Sequence, residues 1–130
     1  LSYLIDTCIL IDHLRGYKPA YDWLSKTLTL EPAGKFYYSA ITMTELWAGM
    51  PLRQEQLVQC LLSTMECLGV DEAIARTAGE YVRKWRPSYG VEIPDAILAA
   101  TAKESGAVLV TINRRHFPMD DLQVLVPYTY

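Results

Sequence analysis

Cysteine is scarce in this sequence: Cys8, Cys60 and Cys67 are the only three in 130 residues. An odd number cannot all pair within one chain, and no C-x-x-C spacing occurs, so neither a disulfide framework nor a thiolate zinc site is expected. Free thiols point to a reducing, cytoplasmic setting. Positive charge is also short. Twelve Lys and Arg stand against 15 Asp and Glu, for a formal net charge of −3. Sequence-independent binding to a nucleic acid needs several cations neutralising phosphates together, so any such role must rest on a local patch or a bound cation. No apolar run approaches the roughly 18 residues of a membrane span, and no membrane partner is expected. Basic residues are missing ahead of the first apolar stretch, and Asp6 and Asp12 interrupt Tyr3 to Leu14, which argues against a signal peptide. The sequence opens on Leu1 within a strand-like run, which predicts that one or a few residues precede it. Internal repeats and low-complexity stretches are absent.

What is present is an ordinary globular composition, 51% apolar and 21% charged. The length fits one domain over residues 1–130, with a core that needs no staple or structural metal. Strand-length runs rich in Val, Ile, Leu and Tyr occur at Tyr3–Ile5, Lys35–Ala40, Met65–Val70, Ala107–Ile112 and Gln123–Val126. Helix-period segments lie between them, at Ile9–Leu14, Ala20–Thr27, Met43–Met50, Glu55–Thr64, Glu72–Trp85 and Asp95–Glu104. Strands separated by helical crossovers predict an α/β fold with a central, mostly parallel five-stranded sheet and helices on both faces. Arg86-Pro87-Ser88-Tyr89-Gly90 reads as a turn between the fifth and sixth helices.

In such a sheet, ligands bind beyond the carboxyl ends of the strands. Asp6 ends the first strand, where a buried run turns acidic. Glu45 falls in the first turn of the helix after the second strand, which must start at the same edge. Asp95, after Pro94, opens the helix that runs back into the fourth strand, so its N-terminus lies there too. Asn113 ends the fourth strand, in Val-Thr111-Ile-Asn113. Four polar residues far apart in sequence are thus expected on one rim.

Each also has a plainer reading. Thr42-Met43-Thr44-Glu45 fits a capping box. Asp95 can serve the helix macrodipole, and Asn113 can cap the turn over Arg114 to His116. Asp6 is harder to explain alone, because a carboxylate at a buried strand end needs a compensating partner. Together, three carboxylates at close range repel and raise one another's pKa unless a cation sits among them. Oxygen ligands without His or Cys suit magnesium or manganese rather than zinc. An ion of that kind can activate water against a phosphodiester.

At these residues the sequence resembles the PIN-domain family, in particular the VapC-type toxins of toxin-antitoxin pairs. The matching blocks are Tyr-Leu-Ile-Asp6-Thr7-Cys8-Ile-Leu-Ile-Asp, Thr44-Glu45-Leu-Trp-Ala-Gly, Pro94-Asp95-Ala-Ile-Leu-Ala-Ala-Thr-Ala and Val-Thr111-Ile-Asn113-Arg-Arg-His116-Phe. Together they span nearly the whole chain. The resemblance implies a Mg2+- or Mn2+-dependent endoribonuclease that hydrolyses RNA, a VapB-type antitoxin partner and a homodimer. It implies that Asp6, Glu45 and Asp95 are the acidic metal-site residues. A fourth acidic position is common in that family where Asn113 or His116 stands here, which puts a second ion in doubt. Cys8 replaces a more usual Asn or Ser, and its plain reading is a small buried side chain.

The expected mechanism has Asp6 and Asp95 holding the ion, with Glu45 joining directly or through water and Asn113 orienting a ligand or water. Thr7, Thr111, Arg114 and Arg115 are the expected substrate-binding residues, the two arginines against flanking phosphates. Lys84 and Arg86 form a second, smaller basic cluster. Tyr81, Trp85 and Tyr89 recur at helical spacing, a pattern of core more often than of an RNA platform. Leu46, Trp47 and Met50 offer a dimer or antitoxin surface, or simply core. Three alternatives compete: a PIN nuclease of RNA processing without an antitoxin, a non-catalytic interaction module, and a phosphate-transferring enzyme. The last lacks the second Asp two residues after Asp6 that such enzymes use, since Thr7 and Cys8 follow it.

Overall fold

Tyr3 and Ile5 pack into one buried cluster and Leu4 into another, the period-two alternation of a strand covered on both sides. In the computed structural model, which describes residues 1–31 and 33–130, that strand is β1 (Ser2–Ile5). It is followed by α1 (Thr7–Leu14), α2 (Lys18–Leu30), β2 (Lys35–Ser39), α3 (Ala40–Gly49), α4 (Glu55–Leu62) and β3 (Glu66–Leu68). Then come α5 (Glu72–Tyr89), α6 (Ile93–Ser105), β4 (Val108–Val110) and β5 (Val124–Leu125). Single 3-10 turns occupy Leu52–Gln54 and Arg114–His116.

The five strands form one sheet in the order β3-β2-β1-β4-β5, every pairing parallel. Leu4 stands between Tyr37 and Leu109 at its centre. Helices α5 and α6 cover one face, where Leu4 and Leu109 meet Ala96, Ala99 and Tyr81. Helices α1 to α4 cover the other, where Ile5 and Val110 meet Ile9, Leu24, Leu46 and Val58. The chain moves outward from β1 to β3, then crosses back to β4 on the opposite side of β1. That reversal opens a crevice beyond the carboxyl ends of β1 and β4. Among the described residues, no helix is long and apolar enough to cross a membrane.

The expected α/β architecture with a five-stranded parallel sheet is therefore present, and several boundaries differ. The segment 86–90 is not a turn: α5 continues to Tyr89 and stops at Gly90, whose φ of 65° supplies the left-handed cap. Pro87 is tolerated because it falls in the last turn, where it removes one intrahelical bond and no more. Helix α3 starts three residues earlier than the periodicity suggests. Ser39 Oγ accepts the Ile41 N–H at 3.1 Å and fixes the start at Ala40. Glu45 consequently lies in the second turn, and the Thr42–Glu45 capping box does not form. Helix α2 begins at Lys18 because Pro19 is acceptable in a first turn.

Candidate active site

Asp6 occupies the N-cap of α1 without capping it. Its backbone N–H donates to the Val110 carbonyl at 2.9 Å, which extends the β1–β4 ladder by one residue. Its side chain, 7% exposed, turns toward β4 instead. Oδ2 accepts the Thr111 hydroxyl at 2.7 Å and the Cys8 thiol at 3.4 Å. Oδ1 takes no hydrogen bond among the described residues. Burial and the Asp6 charge push the Cys8 thiol up to about 12, so it stays protonated and acts as a weak donor from the first turn of α1, half-buried.

Thr7 opens α1 with its hydroxyl 2.9 Å from Thr42 Oγ1 and 2.9 Å from Glu45 Oε1. One proton cannot serve both. A carboxylate only accepts, so Thr7 donates to Glu45 and takes the Thr42 proton. Thr42 and Glu45 are three apart and share a face of α3, which lets them meet Thr7 together. Thr42, which the sequence offers as the cap of a capping box, bonds the Thr7 hydroxyl instead.

Asp95 sits at the third position of α6, where a carboxylate suits the helix N-terminus. Its pKa is nevertheless pushed up to about 6, by burial first and then by the negative charge of Asp6, with Glu92 and Glu45 adding and His116 opposing. His116 Nδ1 lies 3.6 Å from Asp95 Oδ2. The charges of Asp6 and Glu45 thus bear on Asp95. Among the described residues the three carboxylates do not form a ready-made nest of three close ligands.

Asn113 precedes the Arg114–His116 turn and does not cap it through its side chain; its backbone N–H donates to Thr111 Oγ1 at 3.0 Å. Arg114 and Arg115 are exposed on that turn and make no salt bridge among the described residues. Thr7 is 7% and Thr111 0% exposed, and their hydroxyls bond the Glu45 and Asp6 carboxylates.

The donor set fits a hard divalent cation. Asp6 keeps an open carboxylate oxygen, and Asp95 is destabilised as an anion by burial and then by neighbours of like charge, a cost that a cation would relieve. Beside Glu45, a groove of about 400 Å3 runs between α1, α3 and α4, with Leu14, Leu46, Met50 and Val58 as apolar walls and Arg15 at its side. Leu46 is buried, whereas Trp47 is 41% exposed. Of the helix α5 stripe, Tyr81 is core and bonded to Asp121 at 2.8 Å, and Trp85 stacks edge-on against the exposed Tyr89.

Comparison with known proteins agrees with this geometry. Ribonuclease VapC10 of Mycobacterium tuberculosis is 36% identical over 117 residues, 89% of this chain and 86% of that protein. Ribonuclease VapC19 of the same organism is 37% identical over 122 residues, 92% and 96% of the two chains. A toxin-antitoxin complex from Klebsiella pneumoniae contains a chain of the same fold, with a TM-score of 0.79 and 31% identity, covering 98% of this chain and 99% of that one. The PIN domain profile matches residues 3–121, a span that takes in the strands from β1 to β4 and Asp6, Glu45 and Asp95. With its strand order, its rim of carboxylates and these relatives in agreement, the chain belongs to the PIN domain family.

Proposed function

We propose that this chain is a metal-dependent endoribonuclease, the toxin of a toxin-antitoxin pair, which hydrolyses RNA phosphodiester bonds in the cytoplasm. The observation that carries the reading is the acidic set itself: Asp6 fixed by Thr111, Glu45 fixed by Thr7, and Asp95 raised by burial and then by nearby negative charge, that of Asp6 foremost. The two relatives named as ribonucleases and the toxin-antitoxin neighbour support it.

Asp6, through Oδ1, and Asp95 would hold Mg2+ or Mn2+, with Glu45 joining directly or through water. When bound, such an ion offsets charge developing on the phosphate and lowers the pKa of the attacking water. The remaining work belongs to this chain's own residues. Thr111 locks the Asp6 carboxylate in one orientation. Thr7 engages Glu45 Oε1, which leaves Oε2 to accept a proton from the attacking water. Asn113, with its amide free of capping duty, orients a phosphate oxygen or a water. Arg114 and Arg115 hold flanking phosphates as local cations on a chain of net negative charge.

The apolar groove beside Glu45 suits a segment of a VapB-type antitoxin that closes over the rim. Trp47 offers apolar surface for a second copy, in keeping with a homodimer. The test is cleavage of RNA by the purified chain in Mg2+ or Mn2+ against chelator, with Asp6→Asn and Asp95→Asn as controls and 5′-end mapping of the products. Metal-dependent cleavage lost in both variants is expected. Full activity in the variants, or none in the parent at any metal concentration, would remove the proposal.

A further inference from the structure

Asp12 is 6% exposed on α1, and the site described above does not use it. Its Oδ2 accepts two phenols from the end of the sequence, Tyr128 at 2.8 Å and Tyr130 at 2.7 Å. Tyr17 completes the group, its ring centroid 5.7 Å from Tyr128 and 5.4 Å from Tyr130. Two phenols on one carboxylate oxygen fix two rings through their inner edges. Tyr130 is nevertheless 80% exposed. Its hydroxyl is held inward while its ring remains at the surface, an arrangement that a clasp serving the core alone does not require.

The position of the rings gives this a direction. Strand β5 runs parallel to β4 and β1, so residues 126–130 leave the sheet at the carboxyl edge that carries Asp6. Tyr128 and Tyr130 then reach Asp12 on α1, the helix that Thr7 opens. Cys8, one turn before Asp12 on that helix, touches Asp6 Oδ2. Tyr128 packs with Ile112 and Leu125 in the cluster that backs the rim.

We propose that Tyr130, supported by Tyr17, is a stacking subsite for one base of single-stranded RNA beside the cleavage site. The proposal rests on the ribonuclease reading above and adds a contact to the base rather than the phosphate. An aromatic face accepts any base, because every base has a π-face to stack on it. The tie to Asp12 holds the ring in place before RNA arrives, so little side-chain freedom is lost on binding. Asp12 is buried and its charge is met by two donors, which limits repulsion of the passing phosphates.

The experiment uses the full chain carrying Asp95→Asn, so that RNA stays intact, and a short single-stranded RNA with 2-aminopurine placed at each position in turn. Stacking quenches this base. One position is expected to be quenched on binding; Tyr130→Ala should abolish that quenching and weaken affinity about tenfold. Tyr130→Phe keeps the ring face but not the tie to Asp12, so it should keep the quenching with a smaller loss of affinity than Tyr130→Ala, whereas Tyr130→Leu keeps apolar bulk and should lose both. Melting curves of each variant show that the fold survives. Unchanged quenching in Tyr130→Ala overturns the subsite, as does a loss in Tyr130→Phe equal to that in Tyr130→Ala. A wild type that cleaves RNA while no probe position is quenched overturns the subsite and leaves the ribonuclease reading standing. If the wild type cleaves none and the Asp95→Asn chain binds none, both fall.

Discussion

The Thr111 hydroxyl donates to Asp6 Oδ2 at 2.7 Å, joining the ends of two neighbouring parallel strands across 105 residues of sequence. It is the one strong side-chain donor on a carboxylate that is 7% exposed, because the Cys8 thiol at 3.4 Å is weak and remains protonated. Thr111→Val keeps the shape and removes the donor. The expected cost is about 1–3 kcal/mol, the penalty of an ill-compensated buried group. RNA cleavage should fall about tenfold, one hydrogen bond's worth of positioning, and Thr111→Ser should restore most of both. Urea melts alongside cleavage assays check this; wild-type stability and activity in Thr111→Val would show that Asp6 needs no such anchor.

Asp95 gives a pH dependence with a definite sign. In the unfolded chain its carboxyl has the ordinary value of about 3.9, and in the folded chain it is pushed up to about 6. Between those values the folded state binds more protons. Metal-free stability should therefore fall as pH rises from about 4 to about 6, and stay lower above that. Asp95→Asn should flatten this fall and raise stability at pH 7 by about 1 kcal/mol, a figure discounted for the solvent reaching a half-buried side chain. Melting temperatures in chelator between pH 4 and 7 decide it, and a parallel decline in the variant would locate the effect elsewhere.

Divalent metal should act on the same charges. At pH 7, where Asp95 is ionised, Mg2+ or Mn2+ at 100 times its Kd is expected to stabilise the chain by about 2.7 kcal/mol. At pH 5 protons compete for Asp95 and the gain should shrink. Thermal melts with and without metal at both pH values read this out, with Asp6→Asn as the control that loses the response. An equal gain at the two pH values would separate metal binding from Asp95.

Much of this was legible before the structure, and the exceptions have physical causes. Asp6, Asp95 and Asn113 could be placed because a parallel sheet sends every strand end to one rim, a rule that needs only the order of elements. Glu45 reads as a first-turn residue and lies in the second turn of α3. Ser39 looks like the last residue of a strand, and nothing local distinguishes it from a cap until its side chain is seen to accept the Ile41 N–H. Pro87 and Gly90 suggested a turn, although a proline in the last turn costs a helix little. The inward hydroxyls of Thr7 and Thr111 depend on partners dozens of residues away, which local pattern does not carry. Asp12 read only as a break in an apolar run; its phenol partners lie 116 and 118 residues further on.

The start of α3 can be tested directly. If Ser39 is the cap, Ser39→Ala should cost about 1 kcal/mol, the usual value of an N-cap hydroxyl, while leaving the Thr7–Glu45 contact and hence metal-dependent cleavage near the wild-type level. Thr42→Ala should do the reverse. It removes no cap, but it frees the Thr7 hydroxyl from one of its two partners, so Glu45 loses orientation and cleavage falls several-fold with a smaller loss of stability. Chemical melts and single-turnover cleavage on the two variants separate these effects. A cap-sized stability loss in Thr42→Ala with none in Ser39→Ala would move the helix start to Met43 and return Glu45 to the first turn.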